Sequence, residues 1–266
     1  RTATSKDFLT WTNQADLTYV DSPSEQLYTN QIKPYHRAPH LPIGFPTRYI
    51  ERGWSDSMRA LPEPEHRRWR AGASLRYGVA LSEGLIMASR DGVRFKRWNE
   101  AFLPPGIERP GTWNYGHQYI GWHLVETKSD AAGAPNELSL YASESYWTDD
   151  SSALRRHTLR LDGFISAYAP MTAGELVTRP MRVKGKRLAV NFATSAAGGM
   201  RIEIQDAAGQ PIPGYAIEDC PLLFGDSIER TATWKGGQDV SALAGQPIRL
   251  RFELRDADLY AFQFLE

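Results

Sequence analysis

Three glutamates are the candidate acid–base groups of this sequence. Glu126 follows residues 122–125 (WHLV), and apolar neighbours raise the pKa of a carboxyl group, as a general acid requires. Glu25 and Glu83, which lie next to other strand-like segments, could supply the second carboxyl. Two carboxyls about 5–5.5 Å or about 6.5–9.5 Å apart hydrolyse a glycosidic bond with retention or inversion. Each assignment has a structural alternative. Glu126 could lie at the end of a strand and pair with an arginine, and Glu83 could lie at the start of a strand in contact with solvent.

Six further side chains could bind a substrate. Arginines could clamp carboxylates or hydroxyls, although salt bridges between strands are their commoner use. Aromatic side chains in a loop that leads to a strand suit stacking on a sugar ring, and packing inside the fold is the alternative. The six candidates are Arg48, Arg90, Trp113, Tyr115, His117 and Trp122.

The sequence assigns no metal ligand and no cofactor. Four histidines fall near two of the predicted strands: His36, His40, His117 and His123. None of them has the spacing with Cys or Glu that marks a structural zinc site. The acidic pairs at Asp149-Asp150 and at 256–258 could hold structural calcium in turns, although such pairs are usually solvated.

Composition excludes two classes of partner. The chain has 31 basic and 31 acidic residues, so no excess charge points to nucleic acid or to an anionic membrane. No apolar run approaches the roughly 20 residues that span a bilayer. An aromatic content of 11% suits both a sheet-rich fold and a sugar binder.

Strand patterns dominate the first part of the chain. β-branched or aromatic runs bounded by Gly, Pro, Asn or Asp occur in two sets of four. The first set is 27–35, 40–50, 85–89 and 93–98, and the second is 119–127, 137–142, 154–161 and 164–168. Four strands followed by four strands predict two blades of a β-propeller, with one further outer strand at 2–12. The segment 62–69 (PEPEHRRW) is proline-studded, so we predict a loop or one turn there and no helix longer than about two turns.

A short internal repeat supports the prediction of propeller blades. Residues 5–11 (SKDFLTW) and 89–95 (SRDGVRF) share the form S-x-D-x-x-x-aromatic. Ser and Asp side chains can bond backbone N–H groups in a tight hairpin turn, while the aromatic residue packs between blades. The repeat therefore predicts two equivalent hairpins, and a chance match of two short segments is the alternative.

From residue 174 the pattern changes to clean alternation of apolar and polar residues. It runs through 175–183, 187–194, 200–206, 228–234, 248–254 and 259–264, with turns predicted at 196–199, 207–209 and 235–237. Alternation places one face of each strand in the core and one in solvent, as in antiparallel sheets packed face to face. We predict an all-β fold with propeller blades over 1–172 and a jelly-roll-like β-sandwich over 173–266.

Several segments resemble a known group of proteins. Residues 3–11, 26–35, 45–49 (FPTRY) and 84–92 (GLIMASRDG) resemble the bacterial propeller proteins related to glycoside hydrolase families 32 and 43. Residues 176–264, with 202–206 (IEIQD), 211–214 (PIPG) and 256–260 (DADLY), resemble their C-terminal sandwich. The resemblance implies a carbohydrate partner and a location in the periplasm or outside the cell.

The resemblance also implies that the chain is the C-terminal part of a larger assembly. Propellers of this group have five blades, whereas the chain accounts for about two, and their three catalytic carboxylates lie on the early blades. An N-terminal half or a partner chain is therefore expected to complete the propeller. Two functions remain open: a glycoside hydrolase or its fragment, and a non-catalytic protein that binds carbohydrate.

If Glu126 is the acid, Glu126→Gln in the intact protein should lower glycosidase turnover by a factor of about 10² or more, because an amide cannot transfer the proton. The measurement is kcat on a chromogenic glycoside, with circular dichroism to verify the fold. Turnover close to that of the unmodified protein would remove Glu126 from the mechanism.

Overall fold

The computed structural model of the chain describes residues 1–115, 117–146 and 152–266. The all-β fold class is confirmed, and the several sheets are consistent with propeller blades and a sandwich. The chain divides into two compact units, one of Arg1–Thr127 with Ser139–Thr158 and one of Lys128–Leu138 with Leu159–Glu266. None of the helices in the described ranges is long and apolar enough to cross a membrane.

The strands up to residue 160 form four sheets. They are β1 (Thr2–Ser5), β2 (Trp11–Ala15), β3 (Thr18–Val20), β4 (Gln26–Leu27), β5 (Lys33–Tyr35), β6 (Ala38–Gly44), β7 (Thr47–Glu51), β8 (Ala80–Gly84), β9 (Met87–Ser89), β10 (Arg94–Arg97), β11 (Tyr119–Ile120), β12 (Val125–Thr127), β13 (Glu137–Glu144) and β14 (Ala153–Arg160). The sheets are β1-β2, β4-β7-β8, β3-β10-β9-β6-β5, and a four-stranded sheet in which β13 pairs with β11, β12 and β14. The pairs β1-β2, β4-β7, β7-β8, β5-β6, β6-β9, β9-β10 and β11-β13 are antiparallel, and β3 pairs with β10 in parallel.

The predicted strand 40–50 is divided between two sheets. It becomes the end of β6 and most of β7, separated at Phe45-Pro46. Proline has no N–H to donate to a sheet, and the flanking groups bond elsewhere: Phe45 N–H donates to the Asn30 carbonyl, and the Pro46 carbonyl accepts from Leu85 N–H. The first predicted set of strands is therefore divided between a three-stranded and a five-stranded sheet, which also contain β8 and β3. The second set forms the four-stranded sheet except for its last member, 164–168, which overlaps the strand Ala167–Ala169 of a different sheet.

Two helices interrupt the strands, α1 (Asp56–Ala60) and α2 (Pro64–Ala73). The prediction of a loop or single turn at 62–69 is wrong, because α2 has ten residues, close to three turns. Pro64 occupies the first helical turn, where its missing N–H costs no hydrogen bond. The buried residues of α2 are Arg67 and Arg70, so the helix has no apolar stripe for a sequence pattern to detect.

The S-x-D repeat forms two hairpins with matching hydrogen bonds. In the first, Ser5 Oγ accepts from the N–H groups of residues 7 and 8, and Asp7 Oδ1 accepts from those of residues 9 and 10. Ser89 and Asp91 make the same four bonds one repeat later. The second hairpin, β9-β10, continues into a five-stranded sheet, whereas within the described residues β1-β2 is a two-stranded sheet of its own.

The second unit contains one six-stranded sheet. Its strands are β15 (Ala167–Ala169), β16 (Gly174–Val177), β17 (Met181–Arg182), β18 (Arg187–Asp206), β19 (Asp226–Thr231) and β20 (Pro247–Leu265). β18 pairs with β19 and β20, and β20 also pairs with β15, β16 and β17. The long strands β18 and β20 each merge two predicted strands. The predicted turn at 196–199 is instead an irregularity within β18, where the register shifts between Thr194 and Gly199.

Both halves of the long strands bury side chains in one core. Leu188, Val190 and Phe192 before the irregularity, and Met200 and Ile202 after it, belong to the same buried cluster. One continuous sheet whose two halves enclose a common core is consistent with the predicted sandwich. The alternation that predicted these strands reflects this one-sided burial.

Gly198 allows the backbones of β18 and β20 to approach closely at the register shift. A Cβ at this position would lie 2.3 Å from the carbonyl oxygen of Asp256 and 2.7 Å from that of Arg255. Gly198→Ala should therefore lower the free energy of unfolding by about 1–3 kcal/mol through overpacking. Gly236→Ala is the matched control, because a Cβ there meets no atom within 4 Å. Urea unfolding measures both, and equal effects of the two substitutions would contradict the prediction.

Candidate functional site

The structure brings Glu25 and Glu83 together on one arginine. Arg48 on β7 is the direct cross-strand neighbour of Glu83 on β8, and its Nε donates to Glu83 Oε1 at 2.8 Å. A second nitrogen of the same guanidinium contacts Glu25 Oε1 at 3.2 Å. These three sequence candidates therefore form one ion-paired group.

Arg97, which the sequence analysis did not single out, completes this group. Its side chain is 1% exposed, and one nitrogen lies 2.5 Å from Glu25 Oε2. The guanidinium also donates to the Pro23 carbonyl at 2.8 Å and lies 5.5 Å from the ring centre of Tyr19. We refer to these four residues as the arginine–glutamate cluster: Glu25, Glu83, Arg48 and Arg97. Two acidic and two basic side chains give the cluster no formal net charge. Both carboxylates of the cluster are therefore bonded to guanidinium groups of the chain itself.

Glu126 on β12 has different partners. Its Oε2 lies 3.5 Å from His36 Nε2 and 3.8 Å from a terminal nitrogen of Arg37, and its side chain is 30% exposed. Arg37 is the kind of partner that the alternative interpretation of Glu126 predicted. The assignment of Glu126, Glu83 and Glu25 as catalytic residues stays a prediction.

A pocket in the first unit collects aromatic and basic side chains. α2 supplies three of them, a 3₁₀ turn at Leu75–Gly78 supplies one, and the loop before β11 and the residues after β13 supply the others. Among the described residues, seven line the pocket: His66, Arg67, Arg70, Tyr77, Asn114, Tyr115 and Tyr146. We refer to this site, with about 210 Å³ of space including its open mouth, as the tyrosine pocket.

Arg70 lies at the centre of the rings that line the tyrosine pocket. Its guanidinium carbon is 5.3 Å from the ring centres of both Tyr77 and Tyr115 and 6.0 Å from that of Trp69. The rings of Tyr77 and Tyr115 are themselves 5.1 Å apart. Gly78 allows this approach, because a Cβ there would lie 2.3 Å from the Arg67 carbonyl oxygen. The guanidinium and the rings hold one another in place through cation–π attraction.

The ring contacts extend beyond the pocket. Tyr115 contacts Tyr49 edge-on at 5.6 Å, and Tyr146 contacts Tyr119 in the same manner at 6.0 Å. Burial raises the pKa of the Tyr115 and Tyr119 hydroxyls, so both stay protonated at neutral pH. These phenols are therefore neutral and can donate as well as accept hydrogen bonds.

Hydrogen bonds fix the polar part of the pocket wall. Asn114 Nδ2 donates to Glu63 Oε2 at 3.0 Å. Arg67 donates to the carbonyl oxygens of Pro62 and Trp113 at 3.0 and 2.9 Å. Arg67 thus ties α2 to the loop that carries Asn114 and Tyr115.

The remaining sequence candidates lie in different environments. Trp113 is partly buried, and its Nε1 donates to the Gly106 carbonyl at 3.0 Å. His117 is fully buried, and its Nδ1 accepts from Ser145 N–H at 3.2 Å. Trp122 is 67% exposed, and Arg90 lies exposed in the β9-β10 hairpin turn. Of the six binding candidates, Tyr115 lines the tyrosine pocket.

No group of three or more His, Cys, Asp or Glu side chains in the described ranges is arranged to hold a metal ion. Asp149 and Asp150 lie outside the described residues. Asp258, in the other candidate calcium turn, accepts a hydrogen bond from the Ser166 hydroxyl at 2.5 Å.

Sequence reasoning missed Arg67, Arg70, Tyr77, Asn114 and Tyr146. Arg67 and Arg70 are three residues apart and therefore share one face of α2. That spacing, together with Pro64 at the helix start, was the available signal. The contacts of Tyr77 and Tyr146 join segments that are distant in sequence, so no local sequence pattern predicted that these two residues would line a pocket.

Comparison with known proteins shows a distant similarity to a solved structure. No protein-family profile matches the sequence, and no curated protein matches it. Among solved structures, the chain is similar to a glycoside hydrolase family 43 arabinoxylan arabinofuranohydrolase from Bacillus subtilis in complex with cellotetraose, at 8% sequence identity and a TM-score of 0.24. The similarity covers 84% of this chain but 38% of that chain. At this level, function has to be argued from the residues of the chain itself.

Buried histidines give the first unit a predicted pH dependence. Burial lowers the pKa of His117, His123 and His157. In the unfolded chain the histidines have a pKa of about 6.5, so the unfolded chain binds more protons than the folded one as the pH falls. The stability that the three neutral histidines contribute should be fully present above about pH 6.5, and the free energy of unfolding should decrease below it.

The substitution that tests this effect is His117→Asn, which keeps an acceptor near the position of Nδ1. We expect a smaller loss of stability between about pH 7.5 and about pH 5.5, measured by urea unfolding at each pH. His40→Asn, at an exposed position, should leave the loss unchanged. An unaltered pH profile for His117→Asn would contradict the assignment.

Proposed function

We propose that this chain is part of a glycoside hydrolase-like, carbohydrate-active protein and that the tyrosine pocket binds a sugar. The observation that carries the proposal is the lining of that pocket, to which three tyrosines contribute together with Arg70, Asn114 and His66. A sugar ring has an apolar face and a rim of hydroxyl groups. Aromatic faces pack on the former, while amide, phenol and guanidinium groups hydrogen-bond to the latter.

The pocket is a shallow concavity. Its roughly 210 Å³ include solvent at the open mouth, so the enclosed part is far smaller than the about 300–1,000 Å³ of typical ligand sites. We therefore propose that it contacts one face of a single sugar unit and does not enclose it.

Binding without hydrolysis is the function that the geometry supports best. No Asp or Glu is among the described lining residues of the pocket. In the arginine–glutamate cluster, the Glu25 and Glu83 carboxylates are bonded to Arg48 and Arg97. Glycoside hydrolysis requires two carboxyl groups that face one substrate, and the described residues of neither site present such a pair free of arginine partners.

Hydrolysis by the longer protein is the second candidate, and Glu126 favours it. Its side chain is 30% exposed and its Oε2 lies 3.5 Å from His36 Nε2 and 3.8 Å from a nitrogen of Arg37. The carboxylate is therefore accessible to a substrate. A location in the periplasm or outside the cell, and a segment or partner chain that completes the propeller, belong to the same proposal and rest on the resemblance in sequence.

The proposal predicts that pocket aromatics control affinity. Tyr115→Ala and Tyr146→Ala should each weaken binding about 10-fold, which corresponds to roughly 1.4 kcal/mol and to the loss of one aromatic contact. Isothermal titration calorimetry against xylotetraose, cellotetraose, arabinotriose, trigalacturonate and glucuronate-substituted xylotetraose measures the effect. Tyr168→Ala removes a 61% exposed tyrosine of the second unit and is the control. The proposal fails if no oligosaccharide binds, or if binding persists unchanged in both pocket variants.

A further inference from the structure

We infer that the sugar-binding surface extends from the tyrosine pocket over two exposed aromatic side chains, Trp69 and Tyr28, so that the ligand is a linear oligosaccharide of at least three units. This inference rests on the proposed function, in which the pocket contacts one face of a single sugar unit. Trp69 lies on α2 and Tyr28 directly after β4, and both belong to the first unit. Ring contacts join each of them to a lining residue of the pocket.

Trp69 is 68% exposed, although most of a tryptophan side chain is usually removed from water. Its ring centre lies 5.6 Å from that of His66, which lines the pocket, and 6.0 Å from the guanidinium carbon of Arg70. His66 precedes Trp69 by three residues, so their side chains are neighbours on the helix surface. These contacts restrict the orientation of the indole ring and leave most of it in water. Trp69 is therefore a pre-oriented stacking surface beside the pocket.

Tyr28 is 70% exposed and lies at the end of a row of rings. Its ring centre is 5.6 Å from that of Tyr119, and the ring of Tyr119 is 6.0 Å from that of Tyr146, which lines the pocket. The backbone N–H of Tyr28 donates to the Thr47 carbonyl at 2.8 Å, which fixes the segment after β4 against β7. Three tyrosine rings in succession thus lead from the pocket to the exposed ring of Tyr28.

The surroundings of the two exposed rings favour a sugar over a protein partner. Surfaces that bind proteins present contiguous apolar patches of about several hundred Å², whereas here polar side chains lie next to each ring in the sequence. The exposed ones are Glu65 and Arg68 on α2 and Gln26 and Asn30 beside Tyr28. Each unit of a sugar chain has an apolar face and a rim of hydroxyl groups, so separate rings among hydrogen-bonding groups match successive units.

The positions of the rings set the minimum length of the ligand. Trp69 adjoins the pocket through His66, whereas Tyr28 is connected to it through Tyr119 and Tyr146. The sugar unit in the pocket cannot cover both rings, because they adjoin different lining residues. Each ring therefore requires a further unit of its own. Since both rings are held by their neighbours, little conformational entropy is lost when these units bind.

Chain length is the variable that tests the inference. The probes are ladders of one to four units of xylose, glucose, arabinose and galacturonic acid, in the linkages of xylan, cellulose, arabinan and polygalacturonate. In at least one ladder the tetramer should bind about 10-fold or more tightly than the monomer, because it gains two aromatic contacts. Calorimetry measures the tetramers, and NMR titration measures the weaker monomers. A smaller ratio in every ladder that binds would overturn the inference.

Substitutions locate the length preference, which is the ratio of the monomer to the tetramer dissociation constant. Trp69→Ala and Tyr28→Ala should each reduce this ratio about 3-fold or more, because each removes one stacking surface. Tyr115→Ala should weaken both ligands and leave the ratio unchanged, because Tyr115 lines the pocket itself. Trp11→Ala is the matched control, because Trp11 is a 53% exposed tryptophan of the same unit whose ring contacts Phe8 in the β1-β2 hairpin. This control should change neither constant.

The outcomes separate the inference from the proposed function. If either Trp69→Ala or Tyr28→Ala leaves the ratio unchanged, the ligand of at least three units is overturned. Equal binding of monomer and tetramer, lost in Tyr115→Ala, would also overturn the extended surface and leave the sugar-binding pocket standing. Tyr28→Phe keeps the ring and should keep the ratio, and a loss as large as that in Tyr28→Ala would overturn stacking at this position. Binding of no member of any ladder would overturn both proposals.

Discussion

Burial of arginine is the constraint on which the first unit depends. A guanidinium cannot lose its proton at any ordinary pH, so every arginine that is removed from water needs acceptors or polarisable neighbours around it. Arg97, Arg67 and Arg70 are nearly inaccessible, and Arg48 is only slightly more exposed. The position of each one dictates which strands, helices and loops have to meet there.

The chain satisfies these arginines in three ways, and the difference bears on function. Arg48 and Arg97 are bonded to carboxylates, which fixes β7, β8 and β10 relative to the segment before β4. Arg67 donates hydrogen bonds to carbonyl oxygens, and its bond to the Trp113 carbonyl joins α2 to the loop at that residue. Arg70 lies among aromatic rings beside a pocket. The first arrangement is a network of ion pairs, whereas the third places a guanidinium and aromatic rings at the wall of a pocket.

The second unit obeys a simpler rule. Its core is almost wholly apolar and is filled from both halves of β18 and β20. Glu203 is an exception: it is 3% exposed and accepts hydrogen bonds from Gln205 and from the backbone of Ile217. Such internal bonding stabilises a buried carboxylate and leaves little capacity for a ligand. The described groups that suit ligand binding are therefore concentrated in the first unit.

The sequence alone determined the features that depend on local chemistry. Period-two alternation predicted the strands of the second unit, because burial on one face repeats every second residue. The S-x-D repeat predicted two hairpins, since each turn is closed by the side chains of its own Ser and Asp. Glu25, Glu83 and Arg48 were selected separately, with no indication that one guanidinium would bind both carboxylates. The tertiary structure decided that pairing, the division of 40–50 between two sheets, the helix α2 and the tyrosine pocket. Each of these depends on contacts between residues distant in sequence, such as Arg67 with Trp113 and Tyr77 with Tyr115, which no local pattern encodes.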